Sequence, residues 1–328
     1  MEHRPLAGAR SAGEVDRERF EQQIAAVRAE VADPAAGIFG PASKTWEIDR
    51  EAALFIGAGR ASLLQLAHPY VAWAIQHHSR TREAPFARFQ RTFFHVFRMI
   101  FSDLDTVLRA ARAVHSIHTR ITGTLEDAAG PLPAGAPYRA NDVGALRWVA
   151  ATLTDTTLLC YESVVRELAP EEKDAYCRES RRFVQLFGVP EEALQPDWAS
   201  FQAYMDGMLA SDALVVTPPA REMARFLFGP RSLLPGAGPL MRQYAEITAW
   251  MLPERLAHDF GLDRGGEPGR RRYEAALRRM RRLVPHLPYR LRYAPPYVQA
   301  QRRLAGQDSR DRVGNLLLRL WLGPHGGA

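Results

Sequence analysis

Apolar residues recur every three to four positions along most of the chain, a spacing that predicts helices nearly throughout. Residues 13–31 read as a charged amphipathic surface helix, and 33–45, rich in Pro, Gly and Ala, as a linker. A strong helical run covers 46–78, with a break at Gly57-Ala58-Gly59 and a kink or new start at Pro69. Pro85 opens a helix through 101. Asp103 or Asp105 caps the next, which runs to 121 and stops at Gly123. Gly130, Pro131, Pro133, Gly135 and Pro137 make 124–138 a turn-forming stretch. Asn141 then caps a long helix through 168, and further helices are expected at 170–188, 196–210, 218–228, 239–260, 269–283, 296–305 and 310–322. Strand signals are scarce, and 214–217 is the best of them. The expectation is an all-α fold with one large multi-helix domain. Its parts are an N-terminal helix and linker over 1–45, the main body over 46–265, and an Arg-rich helical extension over 266–328 packing on that body.

Composition narrows the class. With 46% hydrophobic and 24% charged residues the chain has globular proportions, which exclude a disordered or fibrous protein. Two cysteines, Cys160 and Cys177, cannot build a disulfide framework or a Cys-rich metal site, and no Cys-x-x-Cys-His exists for covalent haem attachment. Only Lys44 and Lys173 of the 43 basic residues are lysines; the rest are arginines, a bias that fits a GC-rich genome. A net charge of +6 without a recognisable nucleic-acid motif gives no reason to expect a nucleic-acid partner. Residues 1–23 lack the apolar core of a secretory signal, and no uninterrupted apolar run is long enough to span a membrane, so a cytoplasmic protein is expected.

The histidines change the picture. Six of ten (His68, His77, His78, His95, His115 and His118) fall within 51 residues, on three consecutive expected helices. His115 and His118 are one turn apart, and Arg88, Arg91 and Thr92 share a face of the preceding helix. Phe93, Phe94, Phe97 and Phe101 surround them in sequence, the make-up of an apolar pocket with a few polar groups. A neutral imidazole can ligate iron, and a guanidinium suits a propionate or a bound oxygen species. Spacing alone leaves ordinary core packing as the stronger reading. Glycine-rich phosphate loops, Gly-x-Ser-x-Gly and His-Glu-x-x-His are missing.

Several segments together resemble the catalytic-domain family of ER-bound oxygenases and rubber oxygenases (latex-clearing proteins). They are Gly57 to Ala72 with its Ala67-His68-Pro69, then His77-His78-Ser79, Arg88-x-x-x-Thr92, Ile117-His118-Thr119-Arg120-Ile121-Thr122-Gly123, Asn141-Asp142 and Trp148 to Leu153. The resemblance covers roughly 50–260 and implies an all-helical, globin-like core holding a non-covalent haem b. It implies that His118 is the iron ligand, and that Arg88 and Thr92 line the haem pocket as catalytic and cofactor-binding groups. His68 and His78 would either support the haem or cap helix ends. His115 is the weaker rival to His118, and Asp155 and Glu162 are candidates for a supporting position. The implied activity is haem-dependent oxygenation of a small apolar organic substrate, such as an isoprenoid or alkene, by O₂. Rubber-cleaving members carry a lysine beside the threonine; here Arg91 stands there, a charged distal group that is a poor iron ligand. Nothing acidic occupies 61–82, where the family's catalytic carboxylate is expected. The alternative reading is a non-catalytic haem-binding or membrane-surface protein, its basic helix over 270–282 contacting anionic lipid.

Overall fold

In the computed structural model, which describes residues 13–78, 96–97, 99–228, 238–307 and 316, helices account for nearly all regular structure. Helix α1 (Arg17–Ala29) starts where Asp16 accepts a hydrogen bond from the Arg19 amide at 2.8 Å, and buries Phe20, Ile24 and Val27 on one stripe. Helix α2 (Lys44–Asp49) is capped twice. Ser43 accepts from the Trp46 amide, and Glu179, from a distant helix, accepts from the amides of Lys44 and Thr45. A 3₁₀ turn (Ala52–Gly57) leads into α3 (Ala58–Leu66), and α4 (Pro69–His78) begins at the expected proline. The Gly57 break has a packing cause, because a Cβ there would collide with Cys160 and Thr156 of the central helix.

Helix α5 (Leu104–His118) is capped by Asp103, which settles the choice between the two aspartates. The chain then forms a short antiparallel hairpin, β1 (Thr122–Thr124) with β2 (Pro137–Arg139), Thr122 opposite Arg139. Gly123 therefore lies within this hairpin rather than just past a helix end, since its missing Cβ leaves room for the Tyr138 ring. The long central helix α6 (Val143–Val164) is capped by Asp142, one residue later than expected, and ends at Val164 rather than 168. It buries residues on most sides, and Trp148 donates from its indole nitrogen to the Leu64 carbonyl at 2.9 Å.

Helices α7 (Pro170–Gln185), α8 (Trp198–Ala210) and α9 (Pro218–Phe228) follow. The segment 214–217 forms no strand: it runs extended beside the end of α3, where the Val215 amide donates to the Ala67 carbonyl. The single helix expected over 239–260 is two, α10 (Gly238–Met251) and α11 (Glu254–Asp259), parted before Pro253. Helices α12 (Gly266–Leu283), α13 (Tyr289–Arg292) and α14 (Pro295–Leu304) complete the described chain. This C-terminal part is tied back to the body: buried Glu51 takes two guanidinium nitrogens of Arg292 at 2.9–3.2 Å, and the Ala294 amide donates to the Arg50 carbonyl at 2.7 Å.

Apolar side chains from both halves of the chain form two large clusters, each of which takes residues from α6. One part gathers Phe20, Trp46, Phe101 and Val107, the other Leu63, Trp148, Leu158 and Leu214. Cys160 and Cys177 are buried and unpaired, and burial pushes both thiols up to about 12, so they act as small apolar side chains. No helix among the described residues is long and apolar enough to cross a membrane.

Candidate functional site

The clustered histidines divide into three settings. His118 ends α5, where the chain turns into the hairpin. Two backbone bonds and the β1–β2 ladder make that turn: the Ile121 amide donates to the His118 carbonyl and the Ala140 amide to the Ile121 carbonyl. They return the chain directly to Asn141. An interaction with the Asn141 side chain favours a proton on the His118 ring. Burial works in the opposite direction and wins. Although part of the residue reaches solvent, protein atoms crowd its ring, and the pKa falls to about 4. His118 is therefore a neutral imidazole at pH 7, the form that coordinates metal. Asn141 is 1% exposed, and its amide nitrogen has no partner.

His115 looks the other way. Its ring stacks on Phe20 of α1, centroids 4.1 Å apart and planes 9° from parallel, and neither ring nitrogen has a partner. That face is closed by α1, so His115 packs the core, and its pKa is lowered mainly by burial.

The third setting joins α4 to the hairpin. His77 places Nδ1 2.9 Å from the Tyr138 hydroxyl and Nε2 3.0 Å from the Glu126 carboxylate. His78 donates from Nε2 to the Thr122 carbonyl at 2.9 Å, which fixes its tautomer because a carbonyl only accepts. His68 sits at the α3–α4 junction with Nδ1 buried and unpartnered, its ring edge-on to Tyr70 at 5.5 Å. Burial holds its pKa near 4, so it too is neutral. Tyr70 in turn approaches Tyr138, so an aromatic path runs from His68 to His77 and His78. Trp73 adds an indole nitrogen that is also buried without a partner. Orphaned buried donors and acceptors are uncommon in folded proteins. Among the described residues His68, Trp73 and Asn141 each leave one buried nitrogen without a partner.

Arg88, Arg91, Thr92 and His95 lie outside the described residues. Asp155 and Glu162 have other employment: Asp155 pairs with Arg60, and Glu162 with Lys173 and the Leu168 amide. Among the described residues no group of three or more His, Cys, Asp or Glu converges. The residue that sequence reasoning placed wrongly is Asn141. Asn and Asp are both good caps, but Asp142 takes that duty, which frees Asn141 to interact with His118.

The basic helix α12 is less free than its sequence suggests. Arg270 and Arg271 pair with Glu267, and Arg272 with Glu246 at 2.5 Å. Arg279 and Arg282 have no acidic partner among the described residues. Just beyond them Leu283, Leu287, Tyr289 and Leu291 are exposed.

No curated protein and no solved structure is significantly similar to the chain. One family model does match, over residues 45–286, a span that contains the histidine cluster, the hairpin and the central helix. With that much of its length accounted for, the chain belongs to the family of ER-bound oxygenase mpaB/B′ and rubber oxygenase catalytic domains.

Proposed function

We propose that the protein is a b-type haem-dependent oxygenase that acts with O₂ on a small apolar organic substrate of isoprenoid or alkene type. The observation that carries the reading is the His118–Asn141 pair: a neutral imidazole kept neutral by burial, with an amide side chain interacting with its ring. Metal-ligating histidines are held this way, their second nitrogen donating to a carbonyl or carboxylate that sets ring orientation and tautomer. The donor set favours a porphyrin over a bare ion. A bare zinc or iron ion needs several protein ligands, which the described residues do not gather, whereas haem brings four nitrogens and asks the protein for a histidine. When bound, the haem supplies the iron at which O₂ is activated.

The chain's own residues do the rest. His118 would ligate the haem iron, and Asn141 would orient His118. The buried nitrogens of His68, which can donate or accept, and of Trp73, which donates, would serve polar groups of the haem. Arg88 and Thr92 are assigned to the pocket from the sequence alone, and Arg91 to its distal side as a permanent cation. Adding hemin to the purified protein is expected to produce a Soret band that saturates at one equivalent. A protein that takes up no hemin ends this reading.

The exposed leucines support a second role, contact with a lipid surface. Leu283, Leu287 and Leu291 expose 39–63% of their surface beside Arg279 and Arg282, an arrangement suited to the headgroup layer of anionic lipid. The contact therefore centres on 279–291 rather than on 270–272, whose arginines are paired within the protein. Co-sedimentation with phosphatidylserine vesicles is expected to weaken several-fold with added salt, and again with Leu283→Asp/Leu287→Asp. Binding that ignores both changes counts against the contact.

A further inference from the structure

About 18 Å along the central helix from its Asp142 cap, at 1.5 Å per residue, α6 presents Thr154 to a partly open space between α2, α3, the 3₁₀ turn and α7. A water-sized sphere can explore about 90 Å³ of it. Its walls are chiefly apolar, with the rings of Phe55, Phe97 and Phe183 among them. Polar side chains interrupt that wall, among them Asp49, Thr154, Thr157, Tyr176 and Ser180. Asp49 is nine-tenths buried, and one carboxylate oxygen accepts a hydrogen bond from the Tyr176 hydroxyl at 3.0 Å. No described residue hydrogen-bonds its other oxygen. Thr154, buried to 7% exposure, has no hydroxyl partner among the described residues either.

A carboxyl buried in an apolar chamber with half its hydrogen-bonding capacity unspent is expensive to keep as mere packing. We propose that this cavity is a binding site, distinct from the His118 region, for a small apolar alcohol, its hydrocarbon part among the phenylalanines and its hydroxyl between Asp49 and Thr154. The choice of a hydroxyl over an ammonium follows from the charge state. Burial, aided by the nearby Glu179 carboxylate, raises the Asp49 pKa to about 7, so near neutrality both forms are populated. An alcohol can donate to the ionised form and accept from the protonated one, whereas an ammonium only donates. Cavities of about 150 Å³ take up benzene, so this one suits a chain of roughly four carbons, more where the walls yield. The inference adds a ligand class to the oxygenase reading and stands without it, since binding is read in haem-free protein.

The test uses full-length protein with ¹³C-labelled alanine and threonine methyls, titrated with butan-1-ol, pentan-1-ol and hexan-1-ol. Saturable shifts are expected at Ala58, Ala61 and Thr154, which line the space, with affinity rising about fourfold per methylene until the chain outgrows it. Asp49→Leu is expected to weaken binding at least tenfold, and Asp49→Asn, which still donates and accepts, by only a few-fold. Should Asp49→Leu fail to fold, wild-type protein decides the point with 1-chloropentane, which is expected to bind at least tenfold more weakly than pentan-1-ol. The absence of saturable shifts with any alcohol, or equal affinity for alcohol and chloride, overturns the proposal. Neither outcome bears on hemin uptake, so the two readings fail separately.

Discussion

His118→Ala is expected to lower hemin affinity at least a hundredfold, about 2.7 kcal/mol, while the far-ultraviolet circular dichroism of the helices persists. The imidazole sits at the last residue of α5, so its loss removes no interior turn of that helix. Alanine is also a good helix former, and the side chain removed is one whose charged form the protein already disfavours. The expected change is thus in cofactor binding and not in folding. His115→Ala is the matched control, one turn away. It loses the stacked contact with Phe20, of order 0.5–1.5 kcal/mol beyond simple burial, and retains hemin. Asn141→Ala is expected to lie between, with hemin affinity down roughly tenfold, as for other residues that orient a metal ligand. Difference spectra during hemin titration of the three variants, beside urea melts, separate the two effects. If His118→Ala binds hemin like the parent, the iron ligand is elsewhere and the site assignment falls.

The contrast between His115 and His118 shows how far sequence could go. Three-residue spacing puts both near one helix face and cannot say which is enclosed by a neighbouring helix. That depends on α1, which reaches α5 from far away in sequence and stacks Phe20 on His115. The all-helical architecture was readable because amphipathic periodicity and caps are local, and Asp103, Asp142, Pro69 and Pro170 all act within four residues of themselves. The small hairpin was not. Its strands are three residues each and its register rests on Gly123 admitting the Tyr138 ring, a contact between residues fifteen positions apart. Asn141 was visible as a capping residue and invisible as a partner of His118, because that role exists only once the hairpin closes. The Asp49 cavity left no sequence trace at all: Asp49, Thr154 and Tyr176 come from three helices and are ordinary residues in each.

Arg60→Met is expected to destabilise the fold by about 3 kcal/mol, the low end for breaking a buried ion pair by removing one partner. Arg60 is 5% exposed and spends its whole guanidinium on named partners: Asp155 at 2.6 Å, the Thr156 hydroxyl at 2.6 Å and the Met251 carbonyl at 2.8 Å. These bonds clamp α3 to the central helix and to the end of α10, beside the Trp148–Leu64, Gln65–Thr152 and Gly59–Tyr244 hydrogen bonds that join the same elements. Methionine fills much of the aliphatic volume, so the loss reflects unmet polar groups more than a cavity. Asp155 retains a side-chain exposure of 22% and can recover some hydration, which is why the low end of the range applies. At roughly 2 °C per kcal/mol for a chain of this size, the melting temperature should drop by about 6 °C. Adding Asp155→Leu to Arg60→Met is expected to recover part of the deficit, because it removes the stranded carboxylate, whereas Asp155→Leu alone strands a more deeply buried cation and costs at least as much as Arg60→Met. A cycle of four urea melts measures the coupling. Strictly additive losses, or a change below 1 kcal/mol for Arg60→Met, would mean that the pair holds nothing and that α3 is positioned by its glycine and leucine packing alone.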